Sequence, residues 1–251
     1  MIPCAGCGID TPDPNYNLSH AQRAKRMCAG CRAENSRVHG RKSRTAHYAL
    51  EPSPEAIQVA LGSALGDGGF ERSSKNGSWL LSLKHGRAQH DYLRWKARLL
   101  GPLALKPTPC ESTKLRVRTR THPMFTRIRD QLHSATEFNG LLVRMELLAW
   151  AIFYLDDGSY TPEHVRPNGY TEHATVRISC PSFSSVERAA IGAQLTKTFD
   201  VAWTVCTWTN PRDPAAPYHG IRLYREHAAR FLKALAPVIP KESGMLYKIF
   251  G

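Results

Sequence analysis

Acidic residues are what this sequence is short of. Its 251 residues include 21 aspartates and glutamates against 34 lysines and arginines, a formal net charge of +13. An excess of that size favours an anionic partner, and nucleic acid is the first candidate; the alternative is a basic surface kept for solubility. Long apolar runs are missing as well. The longest, LLAWAIFYL at 147–155, has nine residues where a spanning helix needs roughly twenty, so no membrane segment is expected. The N-terminus shows neither a charged-then-apolar signal pattern nor a lipidation motif, which makes an intracellular protein the expectation. No Ser/His/Asp or Cys/His arrangement emerges either, so the sequence offers no nucleophilic triad.

Cysteine is present in an odd number, seven, which does not resemble a secreted disulfide scaffold. Cys110, Cys180 and Cys206 are scattered among apolar or β-branched residues and read as core thiols. The other four stand in two CAGC pairs separated by twenty residues: Cys4 and Cys7, then Cys28 and Cys31. Two residues between cysteines let both thiolates of one turn reach a single ion, and two such turns complete a tetrahedral Zn2+ site. The alternatives are two short-range disulfides or a redox pair. The intervening loop is too polar and proline-rich to fold on a core of its own, so metal is expected to fold it as a small zinc-ribbon or finger-like module. Between residues 20 and 47 stand Arg23, Lys25, Arg26, Arg32, Arg37, Arg41, Lys42 and Arg44 against the single acid Glu34. Such an arm neutralises phosphates without reading sequence. Residues 1–47 are therefore expected to form an appended nucleic-acid-binding unit, with Arg41, Lys42 and Arg44 among its contacts.

From residue 48 the chain runs through one α+β plan twice, at 54–140 and 143–251. The first pass opens on a helix over 54–66, with Ser53 as N-cap and Pro54 at its first position. GGFERSSKNGSWLLSLKHG reads as a hairpin around KNGS, and AQHDYLRWKARLLG as an amphipathic helix with Tyr92, Trp95 and Leu99 on one face. The strand TKLRVRTRTH and the helix PMFTRIRDQLH follow. The second pass gives a helix over 143–155, DDGSY, the strand ATVRISC, a helix SVERAAIGAQLTKTF, strands AWTVCTWT and HGIRLY, and a last helix HAARFLKALAPVI. Each half is read as αββαββα. In TKLRVRTRTH strict alternation puts Lys114, Arg116, Arg118, Arg120 and His122 on one face and Leu115, Val117, Thr119 and Thr121 on the other. A ribbon bearing that row suits a DNA groove, where arginine pairs bidentately with guanine; the alternative is a solvated charged face. Lys84 and Arg177 are further candidates for DNA contact.

The two passes can be aligned on a shared Asp-Gly. ALGSALGDG at 60–68 and WAIFYLDDG at 150–158 place Asp67 and Asp157 ninety residues apart. Both stretches resemble the LAGLIDADG motif of homing endonucleases, especially the group whose copies end LGDG and DDGS. LLSLKHGRAQHDYLRWKARLLGPL and the C-terminal MLYKI are similar to further pieces of that family, and the likeness covers residues 55–251 but not the cysteine module. The resemblance implies a duplicated, pseudo-symmetric fold whose antiparallel sheets face DNA. It implies a single-chain monomeric enzyme that cuts both strands of a long asymmetric target. It also implies that the two motif helices pack side by side and that Asp67 and Asp157 bind Mg2+ over the scissile phosphates, hard oxygen ligands suiting that ion. Asp156 could support the site. The family uses a lysine or glutamine per site, for which Lys241, Lys248 and Lys84 are candidates. A second reading is a non-cleaving binder on the same fold, an RNA maturase or DNA-binding regulator; a third, a phosphate-binding glycine loop, would expect a strand before GDGG where the pattern is helical. Gly62 and Gly66 lie on one helix face with Val59 extending the stripe, and their counterparts are Ile152 and Asp156. Gly62 is accordingly expected to let two backbones approach closely and so set the distance between the acids.

Overall fold

The computed structural model describes residues 50–74, 77–165, 171–209, 213, 215 and 217–250. The four cysteines of the expected zinc module, together with Arg41, Lys42 and Arg44, lie outside the described residues. A compact unit spans Glu51–Gly251, and its elements run in chain order as helix α1 (Pro54–Leu65), strands β1 (Gly69–Arg72) and β2 (Trp79–Gly86), α2 (His90–Leu100), β3 (Thr108–Cys110), β4 (Lys114–Arg118), α3 (Pro123–Leu132) and α4 (Phe138–Val143). They continue as α5 (Leu147–Asp157), β5 (Gly158–Val165), β6 (Thr171–Ser179), α6 (Ser185–Phe199), β7 (Thr204–Trp208), β8 (Tyr218–Tyr224), α7 (Arg225–Leu235) and α8 (Tyr247–Phe250).

The strands form two four-stranded antiparallel sheets of equivalent order, β1-β2-β4-β3 and β5-β6-β8-β7. Alternation explains how each sheet is clothed. Leu81, Leu83 and Val117 in the first sheet are buried against helices, as are Val176, Ile178, Ile221 and Leu223 in the second, while the residues between them point to the opposite face. Helices α2 and α7 lie on these apolar faces, and each ends in a 3-10 turn with proline at its middle position, Gly101–Leu103 and Ala236–Val238. In the second half, edge-on aromatic contacts link Trp150 to Phe199, Phe199 to Phe231 and Phe231 to Tyr154, with ring centroids 5.0–6.1 Å apart.

Helices α1 and α5 pack against each other at the centre. Both are buried almost all round, as their continuous apolar sequences require. Helix α1 starts as expected: Ser53 Oγ accepts the Ala56 N–H at 3.1 Å and Pro54 opens the first turn. It ends one residue short of the expected 66, because Gly66 leaves helical geometry (φ −101°, ψ −134°). Helix α5 departs further from expectation, beginning at Leu147 rather than 143 and running through both aspartates to Asp157. Its start is fixed from outside: buried Gln58 of α1 donates to the Arg144 carbonyl (3.1 Å) and accepts the Glu146 N–H (2.9 Å), separating α4 from α5. DDGSY, to which the sequence assigned no element, spans the end of α5 and the start of β5.

The contact between α1 and α5 includes the i, i+4, i+8 row Gln58, Gly62, Gly66, so buried Gln58 extends the glycine stripe. A Cβ on Gly62 would stand 2.4 Å from the Ala149 carbonyl oxygen and 2.9 Å from Ile152 Cβ. One on Gly66 would stand 2.6 Å from Asp156 Cβ. The glycines offset their propensity cost by admitting a facing backbone and a facing carboxylate. Gly62→Ala should therefore destabilise the fold by about 2 kcal/mol or more in urea unfolding. Gly140→Ala, in a helix with nothing within 4 Å of the added methyl, should be neutral or slightly stabilising. Equal behaviour of the two variants would remove the close-approach account.

Candidate metal and nucleic-acid site

Each motif helix delivers its acid to the point where helix gives way to the first strand of a sheet. Asp157 is the last residue of α5, and the next N–H, that of Gly158, closes the helix onto the Tyr154 carbonyl. Asp67 stands differently, beyond the end of α1. Gly66 N–H bonds Gly62 O at 3.1 Å and Gly68 N–H bonds Ser63 O at 2.8 Å, while the Asp67 N–H between them donates to the Asp156 carboxylate, Oδ2, at 3.2 Å.

Asp157 is partly covered and Asp67 keeps one side open to solvent, and negative charge is close to both. Burial first, then the charges of Asp67 and Asp156, push the Asp157 carboxyl up to about 7, against the pull of Lys248 and Lys96. Asp67 is raised by burial and then by Asp156, with Lys96 and Lys248 again opposing. The charge of Asp67 thus raises the proton affinity of Asp157, and the two acids form a site short of positive charge. Hard oxygen donors in that condition fit a divalent ion such as Mg2+.

Three side chains complete the surroundings. Lys248, at the C-terminal end of the chain, is largely buried; its ammonium donates to the Leu155 carbonyl at 2.6 Å, and its charge acts on both motif acids. Burial lowers its pKa. Lys96, fully buried on α2, donates to both Asp156 oxygens at 2.9 and 3.2 Å. Tyr92, one turn earlier on α2, gives its hydroxyl proton to Asp156 Oδ1 at 2.8 Å and also reaches the Ile152 carbonyl. His85 of β2 faces the cluster, 4.0 Å from Asp67 and 3.9 Å from Asp156. Burial, reinforced by Lys96, lowers its pKa to about 4, so it is neutral at neutral pH. Asp67, His85 and Asp156 offer ligand atoms within 4.8 Å of one another.

Sequence reading missed Lys96 and assigned Asp156 only a supporting part. The signal was available: Tyr92, Trp95, Lys96 and Leu100 recur at the spacing of one helix face, and all are buried. Leu99, which was placed on that face, is only partly covered. Lys241 and Lys248 were offered as equivalent candidates, and the structure separates them. Lys241 lies exposed in a 3-10 turn, Lys241–Ser243, and its charge is not among those acting on Asp67 or Asp157.

The outer faces of both sheets are cationic, though the cations sit at different register positions. In the central pair of the first sheet Lys84 stands directly opposite Arg116; in that of the second, Arg177 stands opposite Arg222. Like charges so placed repel, and an anion laid across the sheet relieves both pairs. Arg222 was not singled out in the sequence, since its register with Arg177 joins segments far apart in the chain. Acids temper the first sheet: Glu111 pairs with Lys84 (2.8 Å) and Lys114 (2.7 Å), and Glu71 with Arg118 (2.7 Å). The expected cationic row is shorter than the alternation suggested. Strand β4 stops at Arg118; Arg120 folds back, its Nε donating to the Pro102 carbonyl at 3.1 Å. His122 is buried as the N-cap of α3, its Nδ1 accepting the Met124 N–H. Proline at the next position starts the helix and ends the strand pattern.

Comparisons with known proteins bear on this site. A profile of the LAGLIDADG DNA endonuclease family matches residues 57–218. Among curated proteins, a Protein RecA of Mycolicibacterium flavescens is 34% identical over 139 residues, 49% of this chain and 30% of that protein. A Protein RecA of Mycolicibacterium chitae is 27% identical over 189 residues, 73% of this chain and 40% of that protein. The chain thus spans well under half the length of either relative. The solved structure of the homing endonuclease I-WcaI bound to its DNA recognition sequence superposes with a TM-score of 0.63 at 18% identity, covering 80% of this chain and 88% of that one. At that identity the likeness is one of fold.

The raised Asp157 carboxyl has a consequence for stability without metal. Between its unfolded value near 4 and its folded value of about 7, the folded protein holds a proton that the unfolded chain has released. Stability from this group is therefore lost as pH rises through that window. Asp157→Asn, which cannot ionise, should exceed the metal-free wild type in stability at pH 8 by about 1–3 kcal/mol. The gap should shrink steadily as pH falls below 7 and close near pH 4, and Mg2+ should narrow it at pH 8. Thermal melts in chelator and in Mg2+ decide it; a gap independent of pH contradicts the assignment.

Proposed function

The chain belongs to the LAGLIDADG DNA endonuclease family, and from that premise we propose that it is a site-specific endonuclease. It hydrolyses both strands of a long, asymmetric double-stranded DNA target, with Mg2+ held by Asp67 and Asp157. The observation that carries this reading is the pair of helix-end acids, both raised by burial and neighbouring negative charge, set at the start of sheets whose opposite faces carry opposed cations. Both motifs reside in one chain, so the acid pair needs no second copy, which supports a monomer.

Each part of the chain then has a task. Divalent metal at such a site polarises the phosphodiester and acidifies the water that attacks it. Asp67 and Asp157 supply hard oxygen donors from helices whose packing fixes their separation. Lys248 keeps a positive charge beside them and is the lysine best placed to offset charge developing on phosphate. Lys84, Lys114, Arg116 and Arg118 on one sheet, and Arg177 and Arg222 on the other, neutralise phosphates and reach base edges. Cys4, Cys7, Cys28 and Cys31 hold a structural Zn2+, and Arg41, Lys42 and Arg44 extend the backbone contact.

The test is selection of cleaved ends from a randomised DNA library in Mg2+, followed by strand-resolved assays on the recovered site. Wild type should make double-strand breaks, while Asp67→Asn and Asp157→Asn should each slow at least one strand by about 100-fold or more with DNA affinity retained. Full cleavage by either variant overturns the assignment of the acids. Tight binding without any cleavage by the wild type replaces the endonuclease with a non-cleaving binder on the same fold.

A further inference from the structure

The third acid of the cluster breaks the symmetry of the site. Asp156 and Gly66 occupy corresponding positions of the two motifs, and they meet: the Asp156 side chain fills the space that a Cβ on Gly66 would need. From there Asp156 Oδ2 accepts the backbone N–H of Asp67. Its other oxygen accepts hydrogen bonds from Tyr92 and Lys96, so a side chain of the second half is anchored by two of the first.

The chain contains its own comparison. Lys96 stands five residues before the 3-10 turn that closes α2, and Phe231 stands five residues before the equivalent turn that closes α7. Phe231 is fully buried and packs edge-on against Tyr154 at 5.5 Å. The half whose own motif carries Gly66 has lysine at this helix position, and the half whose motif carries Asp156 has phenylalanine, packed within its own half. A buried carboxylate without its lysine partner is strongly unfavourable, which accounts for the lysine. It does not account for the aspartate, since glycine or a small apolar residue would fill the same position without charge. The distinctive contact of the carboxylate is the Asp67 amide. Asp157 needs no such support, because its backbone belongs to α5 and the helix closes just beyond it.

We infer that Asp156 is a positioning residue for Asp67 alone, with Lys96 as the internal cation that makes its burial tolerable. The Lys96 ammonium also occupies Asp156, leaving Asp67 and Asp157 as the oxygen donors open to metal. The two strand cuts accordingly depend on Asp156 unequally. The inference rests on the endonuclease reading for its activity assay, and it carries a second readout that does not.

The variants are Lys96→Met/Asp156→Asn, which removes both charges and keeps an acceptor oxygen, and Lys96→Met/Asp156→Ala, which removes the acceptor as well. The strand governed by Asp67 is the one that Asp67→Asn slows most. The alanine variant should cut that strand about tenfold more slowly than the asparagine variant, with the other strand changing less than about twofold. Independently of cleavage, amide hydrogen exchange at Asp67, read by NMR in the metal-free protein, should speed up in the alanine variant and stay near wild type in the asparagine variant. If the alanine variant does not fold, Lys96→Met/Asp156→Ser takes its place, its oxygen ending one bond short of the amide. Equal slowing of both strands, or an Asp67 amide equally protected in both variants, overturns the inference. Absence of cleavage by the wild type overturns the endonuclease reading and leaves the exchange measurement to decide this one.

Discussion

The approach of α1 to α5 governs everything else in the molecule. Two helices buried on nearly every side meet along Gln58, Gly62 and Gly66, and at Gly62 a missing Cβ lets the Ala149 carbonyl come within a distance that no side chain tolerates. Each helix ends at an acid and passes directly into a sheet. The depth of contact between them therefore fixes where two carboxylates stand and how two cationic surfaces continue from them. Gln58 ties the far end of the contact by capping the start of α5, so the helices are registered at both ends of one row.

Charge is distributed to match. The protein is basic as a whole, yet its centre gathers three carboxylates, and burial with neighbouring negative charge raises the proton affinity of Asp67 and Asp157. Lys96 and Lys248 offset part of that charge from opposite sides: one within the core on Asp156, the other tied to the Leu155 carbonyl beside the motif acids. The remaining deficit lies between Asp67 and Asp157. Outside, Lys84 against Arg116 and Arg177 against Arg222 leave two sheets with excess positive charge on their outer faces. The same polyanion and small cations answer both needs, since phosphate relieves the arginines while divalent metal relieves the acids.

Much of this was legible in the residues. Alternating apolar positions gave the central strands though not β3 or β5, Ser53-Pro54 gave the start of α1, and the repeated Asp-Gly gave the paired helix ends. What escaped reading was what depends on contacts between distant segments. Periodicity places Lys96 on the buried face of α2, but a lysine on such a face usually carries its ammonium out to water, and its partner lies sixty residues away. Arg222 alternates correctly in HGIRLY, yet only strand pairing sets it opposite Arg177. The start of α5 was misplaced because the side chain that ends the preceding segment comes from α1. In TKLRVRTRTH the alternation continues past the strand on paper, while Arg120 and His122 already serve the loop and helix that follow.

The meeting of Gly66 with Asp156 also bears on how the two halves recognise each other. Two copies of the second half, paired through the same helix face, would press aspartate against aspartate and leave both without a lysine, because Phe231 stands at that position. Two copies of the first would leave an empty notch between glycines and two buried ammonium groups with no acid. Only the unlike pairing satisfies shape and charge together. The halves are thus a lock and its own key: pairing of either one with its own copy is penalised in shape and charge.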